Sequence, residues 1–284
     1  MMNRLFYWGG HKNVGDELSL YLMRRIANRE FEIASPPFVE ITISAIGSLL
    51  SSSTLSKNLV VWGTGTLTER SLDPRPLKFF PVSRLVKDLG RRFIRQQPDI
   101  RAVRGPKTRM LLERKGINCS RVYGDPAILT PFFYEPKPLS DRFKIGLILH
   151  HIQSNLLKAD ELKDLKILLI SVERETEEEI EHFVDEIVSC DYVYSSSLHG
   201  IILAQSYGIP AQWIQVVGYP IQKDSRHKFE DYFLGGGQII QNPLKITLDI
   251  ESLALLTKLS APPRLLPFQC RDSLLDVFPF DVLS

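Results

Sequence analysis

The sequence predicts an α/β protein built as two lobes, each around a parallel sheet. Short apolar runs rich in β-branched and aromatic residues recur along the chain. Most are followed by a glycine or serine turn and then a segment of helical periodicity, the alternation expected of parallel β/α units. Eight such runs read as strands, at residues 5–8, 39–43, 59–62, 100–103, 145–149, 167–171, 192–194 and 212–216, too many for one small sheet. A proline-rich stretch from Pro126 to Pro138 separates the fourth run from the fifth and reads as the connection between lobes. The lobes are accordingly placed at residues 1–137 and 138–284, the second carrying a C-terminal extension.

Composition is compatible with this division. A chain of 284 residues, 44% hydrophobic and 24% charged, is long and apolar enough to bury two ordinary cores. A formal net charge of +2 supplies no global basic field, so no nucleic-acid partner is expected and any anion site must be local. Cys119, Cys190 and Cys270 are odd in number, widely spaced and without a CxxC pair, which suggests neither a disulfide framework nor a zinc site and fits a reducing cytoplasm. The apolar run at residues 5–8 is too brief for a signal peptide or a membrane span and reads as the first strand. Glu173, Glu175, Glu177, Glu178, Glu179 and Glu181 read as the acidic, solvated start of a helix continuing into Ile180, Phe183, Val184 and Ile187. A further helix at residues 250–259 precedes a proline-containing tail expected to pack back across a lobe.

The residues that could carry chemistry cluster at strand ends. The first strand runs into Gly9-Gly10 and then Asn13-Val14-Gly15-Asp16-Glu17 at the head of a helix. Such a loop either presents backbone N–H groups to an anion or is simply capped by Asp16, and pattern alone favours the cap. The third strand ends in Gly63-Thr64-Gly65-Thr66, where glycine permits a sharp bend or a close approach. Arg104 stands where the fourth strand meets a helix opened by Pro106, a place where open α/β sheets bind ligands, although a loose surface ion pair would look the same. Asp125, before Pro126, has the setting of a turn cap. His150 and His151 end the fifth strand, and one is expected to aim into the cleft while the other faces solvent. Tyr194-Ser195-Ser196-Ser197-Leu198-His199-Gly200 is the sharpest feature, with hydroxyls, N–H groups and one imidazole converging at a strand end before an apolar helix. His182 and His227 lack comparable settings. The chain contains no HExxH, EF-hand, Walker or GxSxG motif.

Taken in order, these segments resemble the polysaccharide pyruvyl transferase family. The resemblance is carried by Asn13-Val14-Gly15-Asp16-Glu17-Leu18, Gly63-Thr64-Gly65-Thr66, Val103-Arg104-Gly105-Pro106-Lys107-Thr108, Gly124-Asp125-Pro126-Ala127 and Leu149-His150. It continues through Ser195 to Gly200, Tyr207-Gly208-Ile209-Pro210 with Trp213, and Lys228-Phe229-Glu230-Asp231-Tyr232. It implies a GT-B-like pair of Rossmann-like lobes with the active site in the cleft between them. The implied reaction takes pyruvate from phosphoenolpyruvate, a co-substrate, onto a sugar of a polysaccharide or its oligosaccharide precursor as a ketal, with no cofactor and no metal. The acceptor would include lipid-linked oligosaccharide, with peripheral contact at the inner membrane face.

Carried over by position, His199 is the catalytic acid or base and Arg104 clamps the donor. Ser195, Ser196, Ser197, Gly200, Lys228, Gly63, Thr64 and Gly65 would bind the donor anion, while Asn13, Gly15, Asp16, Asp125 and His150 would position the acceptor or its loops. Many relatives have Arg-Leu-His where this chain has Ser197-Leu198-His199, which implies a branch acting on exopolysaccharide repeat units. Two other readings stay open on the sequence: a GT-B-like glycosyltransferase using a nucleotide sugar, and an inactive carbohydrate-binding subunit.

Overall fold

The computed structural model describes residues 2–10, 12–73, 97–221, 226–264 and 270–283. Among these, ten strands form two separate parallel sheets. The first contains β1 (Asn3–Leu5), β2 (Phe31–Ile33), β3 (Thr42–Ser44), β4 (Leu59–Trp62) and β5 (Asp99–Ala102), in the order β2-β1-β3-β4-β5. The second contains β6 (Phe143–Ile148), β7 (Ile167–Ile170), β8 (Cys190–Ser195), β9 (Ala211–Val216) and β10 (Leu244–Ile246), in the order β10-β9-β8-β6-β7. With helices interleaved, this is the two-lobed arrangement of GT-B-like folds.

Both sheets have the same winding. In each, the first strand lies between the second and the third, so the winding reverses there and leaves a crevice at the carboxyl ends of the first and third strands. All eight sequence-predicted strands are present, with the first displaced to residues 3–5 and the second to 42–44. The two that pattern did not reveal, β2 and β10, are three-residue edge strands in which only Phe31 and Ile246 are buried. Three residues with one inward side chain hold too little alternation to read.

Helix α1 (Val14–Ala27) buries Leu18, Tyr21 and Leu22, the i, i+3, i+4 stripe that faces a sheet. Helix α2 (Pro106–Arg114) follows β5. Helix α3 (Glu177–Val188) begins with the expected acidic turn, fixed by a reciprocal capping box between Thr176 and Glu179. Helix α4 (Leu198–Ser206) is nearly all buried, and α5 (Arg226–Gly235) follows β9. One continuous apolar cluster runs from Leu5, Val61 and Trp62 of the first sheet through Ile201 and Ile202 of α4 to Phe183 and Val184 of α3. The lobes therefore share a core, and the far face of the second sheet has a smaller one around Leu147, Tyr192 and Leu253.

The proline-rich stretch differs from a simple connector. Pro126–Phe132 is a 3-10 helix whose first five residues are buried. Pro126 fits because Gly63 lacks a side chain: a Cβ there would stand 2.2 Å from the proline ring. The tail does return across a lobe, and the lobe is the first. Helix α6 (Ile250–Leu256) is followed by α7 (Arg271–Asp276), and Trp62 Nε1 donates to the Leu274 carbonyl at 2.8 Å while Phe278 packs edge-on against the indole.

A buried carboxylate ties α5 to the first lobe. Asp231 Oδ1 accepts from the backbone N–H of Lys107 at 2.9 Å and of Thr108 at 3.0 Å. Its Oδ2 accepts from Thr108 Oγ1 at 2.6 Å and lies 3.3 Å from Arg104 Nε, both charged side chains being fully buried. The approach is so close that a Cβ on Gly105 would stand 1.8 Å from the Asp231 carbonyl oxygen. Asp231→Ala leaves Arg104 as an uncompensated buried charge and should cost about 3–5 kcal/mol in urea unfolding. Asp231→Asn, which keeps the Oδ1 acceptor, should cost less; equal, small losses for both would show that the charge pair is not what holds the helix.

Candidate functional site

The crevices of the two sheets face each other, and His199 bridges them. It sits in the first turn of α4, beyond β8, and its ring lies directly on the start of α1, where a Cβ added to Gly15 would stand 1.9 Å from Nδ1. Glycine at position 15 is thus explained by close approach, since its helical backbone requires no special conformation. On the other side, His199 Nε2 is 3.8 Å from Asp125 Oδ2. Both atoms are buried and neither has a hydrogen-bond partner among the described residues, while Asp125 Oδ1 accepts from the Ala127 N–H at 3.1 Å.

Around this contact the fold gathers charges from both lobes: Asp16 on α1, Arg104 after β5, Asp125, His150 after β6, and Lys228 on α5. Burial pushes Asp16 up to about 7, against the pull of the Asn13 hydrogen bond and the Lys228 charge. Burial pushes Asp125 up to about 6, opposed by the Ala127 N–H and Arg104. His199 is driven down to about 3 by burial and by the Lys228 and Arg104 charges, and His150 likewise by burial, Lys228, His151 and His199. Closing the 3.8 Å gap between His199 and Asp125 would favour the ion pair and return both toward ordinary values. Lys228 falls to about 8 through burial and the repulsion of Arg104, with Asp16 acting against both. Its ammonium lies 5.6 Å from the Phe229 ring, and among the described residues it makes no hydrogen bond or ion pair.

Three helices start at these strand ends, and the protein fills two of the starts itself. At α1, Val14 N–H donates to the Val172 carbonyl of the second lobe at 2.8 Å, and Gly15 N–H to Asn13 Oδ1 at 3.2 Å. The cap is therefore Asn13 and not Asp16, whose carboxylate instead accepts from Asn13 Nδ2 at 3.1 Å. At α2 the Asp231 carboxylate occupies the anion position. Among the described residues, helix α4 alone of the three has no protein carboxylate or side-chain cap on its first turn, and His199 is in that turn. Its free N–H groups and the Lys228 ammonium are the local positive charge open to an anionic ligand.

Several residues expected to touch the donor have structural work. Ser195 Oγ donates to the Ser197 carbonyl at 2.8 Å and accepts from Ser197 N–H at 3.0 Å. Ser196 Oγ donates to Gln153 Oε1 at 2.7 Å and accepts from His150 N–H at 2.9 Å. Of these three serines, Ser197 alone has a hydroxyl without a hydrogen-bond partner among the described residues. Gly200 gives room to Ser195 Oγ, 2.5 Å from its would-be Cβ. Thr64 Oγ1 donates to the Gly47 carbonyl at 2.9 Å, and Gly65 makes room for the Arg104 guanidinium.

Arg104 is neither a surface ion-pair former nor an open clamp. Fully buried, it donates to Ser48 Oγ at 2.7 Å and to the Thr66 carbonyl at 2.6 Å, with Asp231 beside Nε, so direct contact with a donor would require exchanging these bonds. His150 and His151 are both half-buried with rings 4.2 Å apart, so neither is simply solvent-facing.

Sequence reasoning missed Asp231, Thr108 and His227. Thr66 Oγ1 lies 2.8 Å from His227 Nε2 and 3.2 Å from Thr108 Oγ1, so the buried network reaches from Arg104 to the residue before Lys228. The available signal was the position of His227 and Asp231 on either side of Lys228 and Phe229.

A sequence profile described as polysaccharide pyruvyl transferase matches residues 13–215, a span that includes Asn13, Arg104, Asp125, His150 and His199 and stops short of Lys228. An uncharacterized protein of Acanthamoeba polyphaga mimivirus is 27% identical over 238 residues, 80% of this chain and 72% of that one. Among solved structures, the C-terminal part of E. coli RcsC, containing its linker region and phosphoreceiver domain, aligns over 90% of this chain and 91% of that one. Its identity is 12% and its TM-score 0.24, a value at which the likeness carries no argument.

Gly15→Ala should leave the lobes folded while displacing the His199 ring. Overpacking of this kind costs about 1–3 kcal/mol, and the displacement is read from the His199 ring resonances in NMR. Unchanged resonances would show that the two crevices are not in contact in solution.

Proposed function

The chain belongs to the polysaccharide pyruvyl transferase family, a transferase family, and on that footing we propose that it transfers pyruvate from phosphoenolpyruvate to paired hydroxyls of a carbohydrate, forming a ketal and releasing phosphate. The observation that carries this reading is the pairing of Lys228 with the open first turn of α4 beside His199. It offers a small, highly charged donor a cation and N–H groups next to a group that can move a proton.

The chemistry asks for few parts. The acceptor gives up two hydroxyl protons; the methylene carbon of the donor gains one and the departing phosphate the other. His199 takes a proton from the first hydroxyl as its oxygen attacks the enolpyruvyl carbon, and a proton is returned to the methylene carbon. Asp16, a carboxyl that exchanges its proton near neutrality, takes the proton of the second hydroxyl. Lys228, the α4 N–H groups and Ser197 hold phosphate and carboxylate, and Arg104 contributes its buried charge from beneath while fixing the 47–48 and 64–66 loops. Asn13 and His150 line the acceptor side. The acceptor is a soluble or lipid-linked oligosaccharide of exopolysaccharide assembly, and the enzyme works in the cytoplasm, at the inner membrane face where the acceptor is lipid-linked. No helix among the described residues is long and apolar enough to cross a membrane.

One observation favours a second reading. A cavity of about 220 Å³ at the carboxyl end of β9, lined by Trp213, Tyr219, Arg226 and Pro243 among others, lies where a nucleotide sugar could bind in the second lobe. Incubation with phosphoenolpyruvate and oligosaccharide acceptors decides between them. One pyruvate ketal of added mass per phosphate released supports the proposal, whereas a hexose increment seen only with nucleotide sugars replaces it with the glycosyltransferase.

Lys228 gives the pH dependence its sign. Held at about 8 instead of its ordinary 10.5, it is a cation below that pH and neutral above it, so kcat/KM for phosphoenolpyruvate should fall as pH rises through about 8. Lys228→Gln should raise the donor KM about 10–100-fold, the worth of a hydrogen bond to a charged group, and abolish that limb. A KM unchanged in the variant would remove Lys228 from the donor site.

A further inference from the structure

We propose that Asp125 is the positioning residue of His199: its carboxylate holds the Nε2 proton, fixes the tautomer in which Nδ1 is left for substrate, and supplies the countercharge when Nδ1 takes up a proton. The inference rests on the reading of His199 as the acid–base group.

Two buried polar atoms without partners point at each other. Asp125 is fully buried, its Oδ1 is engaged by the Ala127 N–H, and among the described residues its Oδ2 has no hydrogen-bond partner, with the likewise unpartnered His199 Nε2 standing 3.8 Å away. Left apart, each such atom bears the desolvation penalty of an unpaired buried polar group. A shift of about 1 Å brings the pair to ordinary hydrogen-bond length, and catalytic hydrogen bonds are commonly long until substrate tightens the site.

The remaining nitrogen, Nδ1, lies against Gly15 at the head of α1. With Nε2–H held by Asp125, the Nδ1 lone pair accepts the hydroxyl proton: the O–H bond breaks, an N–H bond forms, the oxygen pair moves to the enolpyruvyl carbon, and the C=C π pair moves to the methylene carbon, which takes up a proton. Asp125 stays ionised throughout.

The surroundings make this countercharge necessary. The charged and titratable groups around the ring are Asp16 from α1, Arg104 from beyond β5, His150 from beyond β6, Lys228 from α5 and Asp125 itself. Lys228 and Arg104 both oppose a charge on the imidazole, as does the positive end of α4. Asp16 stands beside Lys228, so Asp125 is the anion placed to answer His199.

Asp125→Asn separates this role from that of a turn cap, because asparagine can still accept from the Ala127 N–H through Oδ1. The variant should melt near the wild-type temperature and keep its KM for phosphoenolpyruvate within about twofold, as befits a group acting beyond ground-state binding. Its kcat should fall about 10²-fold or more, the range lost with a general acid–base group, and the pH at which activity rises on the acid side should move down.

Nitrogen-15 NMR of the wild-type full chain provides a readout independent of turnover. The proposal requires His199 in the Nε2–H tautomer, with a change in the ring-nitrogen shifts in Asp125→Asn. A wild-type Nδ1–H tautomer, or an Asp125→Asn enzyme with unaltered kcat and pH profile, overturns it. Full turnover by His199→Ala would defeat the acid–base reading instead, leaving the tautomer measurement to decide whether the two side chains are paired.

Discussion

Arg104 and Asp231 are both out of contact with water, and a pair in that state is more useful for placement than for net stability, because either partner left alone becomes very costly. Asp231 also supplies the acceptors for the first N–H groups of α2, so one carboxylate neutralises an arginine, caps a helix of the first lobe and anchors a helix that follows β9 of the second. Lys228 is three residues earlier on the same helix, hence on the same face, so whatever fixes Asp231 also fixes the cation at the cleft. On the opposite wall, His199 lies against the backbone of α1 through the gap left by Gly15. The two contacts together set the separation of the lobes where their crevices meet.

The electrostatics of the site follow from which helix starts the protein satisfies by itself. Asn13 and the Val172 carbonyl use the first turn of α1, and Asp231 uses that of α2. The start of α4 keeps its donors, with an imidazole among them and an ammonium nearby whose proton affinity has been lowered by burial and by Arg104. A site with surplus positive potential and little internal neutralisation suits a ligand that brings its own negative charge. Phosphoenolpyruvate does so with two anionic groups on a three-carbon frame.

The sheets were legible because their central strands are apolar and regularly followed by helices, while β2 and β10 escaped because a three-residue edge strand buries too little to show a period. What the sequence showed of the site was a set of positions: His150 and His199 follow strand ends, Asp16 lies in the first turn of α1 and Asp125 caps the 3-10 helix at Pro126. It did not show the partners of each polar atom. Ser195 and Ser196 look like ligand groups in sequence, yet one closes its own turn and the other bridges His150 to Gln153. Arg104 looks like a clamp until Ser48, Thr66 and Asp231, brought from three distant segments, are found on its guanidinium. Local pattern records where a side chain sits along an element; whether its hydrogen bonds are already spent is decided by tertiary neighbours.

A crystal structure with phosphoenolpyruvate bound would show whether both lobes build one donor site at the meeting of their crevices. The donor anion should lie within hydrogen-bond reach of Lys228 Nζ and of the first-turn N–H groups of α4, with its methylene carbon facing His199. Donor density confined to the second-lobe cavity beside Trp213 and Tyr219, with Lys228 untouched, would contradict it.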